Sequence, residues 1–367
     1  MQALSALPAT LGRTATIIVG VALVSTIGAF TLARLSVDPS FVFVVSAAAL
    51  AALAALIGEA TDQLGQRFGP AATGILQSAL GNLPELFISI FALQAGFVVV
   101  VQTALIGSIL ANTLLVLGLA LFVGGLRHGT QTFHAPSVRT MAILLLLAVA
   151  ALAIPTLATA PGAPDAGHAT DLSAIVSIVL LVVFAASIPF SLSGGRGAIA
   201  QREERPAEHA WPISLTIGTL VAGAVGAALT SDLFVESLKP TMANLGLSEA
   251  FVGLVVVAIA GNAIENVVGI RAAAANKTDL AISLILNSSL QVAVALTPAL
   301  VLLSMVLGGG VLTLVLSPLL LGAVFLGALL ATLIVFDGES TWLEGLALLG
   351  LYVIIAASVW YGPPIHV

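Results

Sequence analysis

Long apolar runs and short polar breaks alternate along the whole chain. A run of roughly 20 apolar residues is enough to cross the hydrocarbon core of a bilayer as one helix. The pattern therefore predicts an all-α, polytopic membrane protein with about eleven transmembrane helices. The predicted spans are 14–34, 40–66, 69–95, 98–126, 137–160, 171–193, 212–245, 248–275, 278–305, 310–335 and 340–361.

Composition excludes a water-soluble protein. Hydrophobic residues make up 59% of the 367 residues and charged residues only 8%, whereas a soluble domain carries roughly 25% charged residues. The absence of cysteine excludes disulfides and thiolate metal sites. The first apolar run, Thr14–Ala33, lacks a small-residue cleavage site, so we interpret it as a retained helix rather than a signal peptide.

The distribution of basic residues sets the expected topology. If the N-terminus is cytoplasmic, nine of the 11 Lys and Arg residues fall on the cytoplasmic side, and only Arg34 and Lys239 fall outside. This bias follows the positive-inside rule. An odd number of spans then places the C-terminus outside. With no organelle signal in a compact chain, the pattern favours a prokaryotic inner (plasma) membrane.

One short motif occurs twice, as Gly81-Asn82-Leu83-Pro84-Glu85 and as Gly261-Asn262-Ala263-Ile264-Glu265. Each copy puts a carboxylate inside an apolar span, at a cost of at least ~2.5–3.5 kcal/mol, so each acid is a candidate functional residue. Spans 2–6 correspond to spans 7–11, and five is an odd number, so the second copy has inverted topology with a site at the repeat interface. The predicted divisions are an extra N-terminal helix (1–36), a first five-helix repeat (37–192), a cytoplasmic linker (193–210) and a second five-helix repeat (211–367).

The polar residues of these spans suit a hard cation. Ca²⁺ takes about six to eight oxygen ligands, which carboxylates and amide or backbone carbonyls supply. Gly81, Pro84 and Gly261 weaken the helix beside each acid and free backbone carbonyls. The predicted cation ligands are Glu85, Glu265, Asn82, Asn262, Asn112 and Gln291.

A second group of polar residues is predicted to line the ion pathway or to relay protons. Its members are Glu59, Asp62, Asp232, Glu236, Ser108, Ser288 and Ser289. Two alternatives remain open for them: the four acids could lie at wet helix ends, and the serines could serve in interhelical hydrogen bonding. The aromatic residues Trp211, Trp342, Trp360, Tyr352 and Tyr361 are expected to anchor helix ends at the membrane interface.

The two motif acids also suit protons. Burial and mutual repulsion favour the protonated form of a carboxylate, whereas a bound cation favours its ionised form. Competition of H⁺ and Ca²⁺ for Glu85 and Glu265 predicts antiport, with no cofactor and with the lipid bilayer as the surroundings. A purely structural ion pair is a weaker interpretation, because the nearest basic span residue, Arg271, lies about a turn and a half from Glu265. A passive cation channel is a further alternative.

Enzyme chemistry finds little support in the sequence. We find no His-Glu-x-x-His zinc motif, no cysteine and no evident nucleophile–base pair.

Three stretches resemble the calcium/proton antiporter (CAX) family of the cation/calcium exchanger superfamily. They are residues 74–86 around the first motif, residues 245–265 leading into the second, and residues 276–291 with Ser288-Ser289-Leu290-Gln291. The resemblance implies two inverted five-helix repeats plus an extra first helix, alternating access, and Glu85 and Glu265 as shared Ca²⁺/H⁺ residues.

Three features depart from the family pattern. Asn266 replaces the usual His after the second Glu, Asn287 replaces a Gly, and Leu83-Pro84-Glu85-Leu86 is closer to the sodium/calcium exchanger branch. Na⁺ as counter-ion, or another divalent cation as substrate, is therefore the alternative.

Overall fold

The computed structural model describes residues 12–68, 80–163, 165–194 and 211–361, and almost every regular element in them is helical. The helices are α1 Arg13–Arg34, α2 Pro39–Phe68, α3 Leu83–Gln94, α4 Val98–Leu110, α5 Leu117–His128, α6 Ala135–Ala158, α7 Ala169–Gly194, α8 Ile213–Leu245, α9 Glu249–Phe251, α10 Ala258–Gly261, α11 Ala263–Ala274, α12 Thr278–Gln291, α13 Thr297–Leu307, α14 Pro318–Ile334 and α15 Trp342–Tyr361. Three π-helical turns connect helices into longer rods: Ala111–Val116 between α4 and α5, Val252–Val257 between α9 and α10, and Val292–Leu296 between α12 and α13.

The predicted fold class is confirmed. Within the described residues, eight helices are long and apolar enough to cross a membrane, or nine if one bent helix pair counts as a single span. Leu83–Gln94 and Pro318–Ile334 are shorter apolar helices. Residues 69–79, which begin the third predicted span, and almost all of the predicted linker 193–210 lie outside the described residues.

The chain packs as two compact units. The first comprises Met1–Phe91 and Phe190–Gly246, and the second comprises Ala92–Pro189 and Leu247–Val367. Each unit contains helices from both predicted repeats. The boundaries of the two compact units therefore differ from the predicted repeat boundaries.

In the first unit, α2 and α8 pack as an antiparallel pair. Phe43 stacks on Phe234 with ring centroids 4.6 Å apart. Farther along α2, Leu53 and Ile57 lie against glycines of α8, which have no side chain to hold the helices apart. Near the end of α2, the backbone N–H of Trp211 donates to Gln63 Oε1 at 3.2 Å. Later residues of α2 contact earlier residues at or before α8, so the two helices are antiparallel.

Trp211 corrects one expectation. It is 0% exposed and packs in a cluster with Ala15 and Ala60, so it is a core residue and not an interfacial anchor. Its position just before α8 suggested the interface, but three helices converge on its ring. Trp342 and Trp360 are exposed, as expected, at the two ends of α15.

In the second unit, the helix α4 and the π-helical turn Val252–Val257 approach at backbone distance. A Cβ at Gly107 would overlap the backbone of Leu254, and a Cβ at Gly253 would overlap the Thr103 hydroxyl and the Val100 carbonyl. Small residues at membrane helix interfaces permit this kind of approach. The contact fixes α4 against the helix that leads into the second Gly-Asn-x-x-Glu motif.

The predicted span 310–335 is wrong at its start. Helix α14 begins only at Pro318, and Val311–Leu316 is a non-helical segment in which Leu312, Leu314 and Leu316 are buried. Gly308 and Gly309 adopt positive φ angles of 73° and 92°, which end α13 and redirect the chain. Non-helical backbone at membrane depth needs hydrogen-bond partners from protein. Side chains supply them: Gln102 donates to the carbonyls of Thr313 at 3.1 Å and Val315 at 2.7 Å.

The two strands are short and lie in loops. β1 (Gln131–Thr132) pairs antiparallel with β2 (Glu339–Ser340). Beside them, Arg139 lies over the Phe336 ring at 4.1 Å and donates to its carbonyl at 2.6 Å. These contacts join the connection before α6 to the connection before α15.

Candidate cation-binding site

The first Gly-Asn-x-x-Glu motif forms a turn followed by a helix start. Gly81 and Asn82 form the turn, and α3 begins at Leu83. Pro84 lies in the first turn of α3, where its missing N–H has no intrahelical partner to lose. The Leu86 N–H donates to the Asn82 carbonyl at 2.9 Å. The motif thus begins a helix at the place where the sequence predicts a weakened one.

Glu85 lies in the first turn of α3 and is only 1% exposed. The positive end of the helix dipole favours a negative charge at this position. Asn82, three residues earlier, is partly buried. Glu85 is therefore a carboxylate buried at the N-terminal end of an apolar helix.

The second motif is built in the same way. Helix α10 ends at Gly261, Asn262 occupies the junction, and α11 begins at Ala263. The Asn266 N–H donates to the Asn262 carbonyl at 3.0 Å, as Leu86 does to Asn82 in the first motif. The helix axis bends by 63° across this break. Glu265 lies in the first turn of α11, and its side chain lies outside the described part of the structure.

Two side-chain hydrogen bonds join the polar residues of the second unit. The Asn262 amide donates to Ser108 Oγ at 2.6 Å, and the Asn112 amide donates to Ser288 Oγ at 3.0 Å. All four side chains are 5% exposed or less. Helix α4 is therefore linked to the second motif through Ser108, and its continuation is linked to α12 through Asn112.

Helices α4 and α12 each continue into a π-helical turn at a predicted amide ligand. Asn112 lies in the turn Ala111–Val116, and Gln291 immediately precedes the turn Val292–Leu296. Single π-helical turns occur frequently at functional sites, because they re-aim side chains and free backbone carbonyls. Gln291 is 7% exposed, and Ser289 is buried and donates to the Ile285 carbonyl at 3.1 Å.

The four predicted pathway acids lie on helices α2 and α8 of the first unit. Glu59 is partly buried and accepts a hydrogen bond from Gln63 at 3.3 Å, and Asp62 is partly buried. Asp232 and Glu236 are exposed and lie on the same face of α8 as the exposed residue Leu229. The wet-helix-end and ion-pathway roles of these acids both stay predictions.

The acids and histidines of the described residues form no larger cluster. In the part of the chain that the structure describes, no three His, Cys, Asp or Glu side chains lie close enough together to hold a metal ion. Asn266, buried one turn after Asn262, was not among the predicted ligands. The sequence signal that could have identified Asn266 as a candidate ligand is an amide side chain in the first helical turn after the motif.

Comparison with known proteins places the chain. The sequence profile of the sodium/calcium exchanger protein family matches residues 39–192 and again residues 215–361. The chain belongs to this family. It is 34% identical over 340 residues to a Ca²⁺/H⁺ antiporter of Synechocystis sp., covering 88% of this chain and 91% of the relative. It is 36% identical over 321 residues to the Ca²⁺/H⁺ antiporter ChaA of Bacillus subtilis, covering 86% and 90%.

The fold agrees with this family membership. The solved structure of native YfkE superimposes with a TM-score of 0.79 at 31% sequence identity, covering 94% of this chain and 99% of that one. The predicted resemblance to the calcium/proton antiporters is confirmed at the level of family and fold. The exchanger family is a family of transporters, in agreement with the antiport predicted from the sequence.

Proposed function

We propose that the chain is a secondary active transporter that exchanges Ca²⁺ for H⁺ by alternating access and exports Ca²⁺ from the cytoplasm. The observation that carries this proposal is Glu85, a carboxylate 1% exposed in the first turn of an apolar helix. Such a group in a membrane protein marks an ion or proton path. The motif recurs around Glu265, and relatives over 30% identical are named Ca²⁺/H⁺ antiporters.

The chemistry of exchange follows from one set of groups with two cargoes. A bound cation stabilises the ionised carboxylate, and its departure lets burial favour the protonated form. Glu85 and Glu265 then carry Ca²⁺ in one direction and protons in the other. Amide oxygens supply neutral ligands without adding charge. The candidates are Asn82 beside Glu85 in the first unit, and Asn112, Asn262 and Gln291 in the second unit.

The repeat organisation is part of the proposal. We assign an extra N-terminal helix (1–36), two inverted repeats (37–192 and 211–367) and a cytoplasmic linker (193–210). Support comes from the two separate matches to one family profile, and from the identical backbone hydrogen bond in the two motifs. The basic-residue bias supports a cytoplasmic N-terminus and an external C-terminus in a prokaryotic inner membrane.

The decisive test is ⁴⁵Ca²⁺ uptake into proteoliposomes that contain purified protein, with membrane potential clamped. We expect a pH gradient to drive uptake and Glu85→Gln to abolish it, because the amide cannot exchange a proton. Glu249→Gln is the matched control, since Glu249 is an exposed acid of the same type. Unaltered transport in both Glu85→Gln and Glu265→Gln would contradict the assignment of the site.

Na⁺/Ca²⁺ exchange is the second candidate. The observation that favours it is Leu83-Pro84-Glu85-Leu86, with Pro84 in the first turn beside the buried acid, which is closer to the sodium/calcium exchanger branch. The same vesicles separate the two functions. Uptake that follows a Na⁺ gradient and ignores a pH gradient would establish sodium coupling.

A further inference from the structure

Two amide oxygens beside the second motif have no hydrogen-bond partner among the described residues. They are the Oδ1 atoms of Asn262 and Asn266, and both are buried. Asn262 is 1% exposed and Asn266 is 8% exposed. A buried oxygen left without a donor carries an uncompensated desolvation penalty, so two of them on adjacent turns call for an explanation.

The orientation of the Asn262 amide is fixed by its nitrogen. Its Nδ2 donates to Ser108 Oγ at 2.6 Å and to the Ala258 carbonyl at 3.1 Å. Rotating the amide by half a turn would set its oxygen against the Ala258 carbonyl oxygen, which repels it. The Asn262 oxygen therefore points away from both partners and is held there by them.

Asn266 lies one helical turn farther along the same face. Its backbone N–H donates to the Asn262 carbonyl at 3.0 Å, the hydrogen bond that starts α11. Residues four apart on a helix are neighbours on its surface. Glu265 is the residue directly before Asn266 in this first turn, so the two unpaired amide oxygens flank the motif acid along the chain.

We infer that Asn266 is a further ligand for the transported divalent cation, acting together with Asn262. Amide carbonyl oxygens are ordinary ligands of hard cations such as Ca²⁺. Being neutral, they fill coordination positions while the carboxylates supply the charge. This inference rests on the proposed function, because it names another residue of the same site.

The test measures cation binding directly, by isothermal titration calorimetry of CaCl₂ into purified full-length protein at fixed pH and ionic strength. Asn266→Leu keeps the branched shape of the side chain and removes the oxygen, and we expect its Kd for Ca²⁺ to rise about tenfold. Asn266→Asp restores an oxygen at the same reach and should keep binding within about threefold of wild type.

Thr297→Val is the matched control. The Thr297 hydroxyl is also buried and without a partner among the described residues, but it lies in α13, six residues beyond Gln291. We expect its Kd to stay within about twofold of wild type, because a lost oxygen outside the site removes no ligand. The ratio of the Ca²⁺ and Mg²⁺ dissociation constants should shift in Asn266→Leu and not in Thr297→Val.

The outcomes are distinguishable. If folded Asn266→Leu binds Ca²⁺ with the wild-type Kd, the inference is overturned. A bound water is then the partner of the Asn266 oxygen in the wild-type protein. Equal weakening in Asn266→Leu and Thr297→Val would also overturn it, since the effect would then be one of packing. No binding by wild-type protein would instead refute the proposed function. If Asn266→Leu fails to fold, Asn266→Ser and Asn266→Asp decide the question through the Ca²⁺/Mg²⁺ ratio.

Discussion

The amide nitrogen of Asn262 lies 2.6 Å from Ser108 Oγ, and this hydrogen bond joins the second Gly-Asn-x-x-Glu motif to helix α4. Both side chains are buried, at 1% and 0% exposure. The bond sets the direction in which the side-chain amide oxygen of Asn262, Oδ1, points. Ser108 therefore acts on the candidate cation site through Asn262.

Ser108→Ala tests this link. The variant leaves a buried amide N–H without its acceptor, at a cost of roughly 1–3 kcal/mol, and frees Asn262 to rotate. We expect the KM for Ca²⁺ in proteoliposome uptake to rise about tenfold, with a smaller effect on kcat. Ser358→Ala is the control, because the Ser358 hydroxyl is exposed and bonds only within its own helix. A change in kcat with KM unaltered would argue against a positioning role for Ser108.

The bond between Asn112 and Ser288 is tested by a double-mutant cycle. We expect Asn112→Ala and Ser288→Ala to show a coupling energy of about 0.6–1.7 kcal/mol in unfolding free energy, the range found for hydrogen bonds between membrane helices. The measurement is reversible unfolding in mixed micelles. Additive effects of the two substitutions would show that the 3.0 Å contact contributes nothing to stability.

Sequence periodicity predicts most helix bounds in this chain to within a few residues, because a transmembrane helix is defined by its own apolar length. The span 278–305 corresponds to helices and a π-helical turn over Thr278–Leu307, and 340–361 to Trp342–Tyr361. The double motif likewise predicts the two helix breaks at Asn82 and Asn262. These features depend on local residues alone.

Features that depend on distant residues could not be predicted in the same way. The non-helical segment Val311–Leu316 is as apolar as a transmembrane helix, and its hydrogen-bond partners, such as Gln102 and Ser173, lie far along the chain. The same holds for Trp211, which is buried by α1 and α2. The unpaired oxygen of Asn266 is a property of packing that its sequence position does not show.

The close approach of Gly107 and Gly253 predicts strong intolerance to added volume. In Gly107→Ala the new methyl would overlap the Leu254 backbone, which cannot move aside as a side chain can. We expect a loss of at least about 1–3 kcal/mol of unfolding free energy, measured by thermal unfolding in detergent. Gly322→Ala is the control, because no atom lies within 4 Å of the Cβ it would add. Equal stability of the two variants would mean that the helices are not in backbone contact.

Gln102 is predicted to hold the non-helical segment Val311–Leu316 in place. Gln102→Leu leaves the partly buried carbonyls of Thr313 and Val315 without their shared donor, at a cost of at most roughly 2–6 kcal/mol together. The segment should then open locally more often than the helices around it. Its amides report this directly, since the Leu314 N–H donates to Ser173 Oγ at 2.9 Å and the Leu316 N–H to Thr156 Oγ1 at 2.8 Å.

Hydrogen–deuterium exchange followed by mass spectrometry measures that opening. We expect peptides covering 311–316 to exchange at least about tenfold faster in Gln102→Leu, with little change in α14. Gln94→Leu is the matched control, because Gln94 is exposed at the end of α3. Unchanged protection of 311–316 in Gln102→Leu would show that the serine and threonine hydroxyls hold the segment without Gln102. Faster exchange across the whole second unit would show that Gln102 supports the unit rather than this segment.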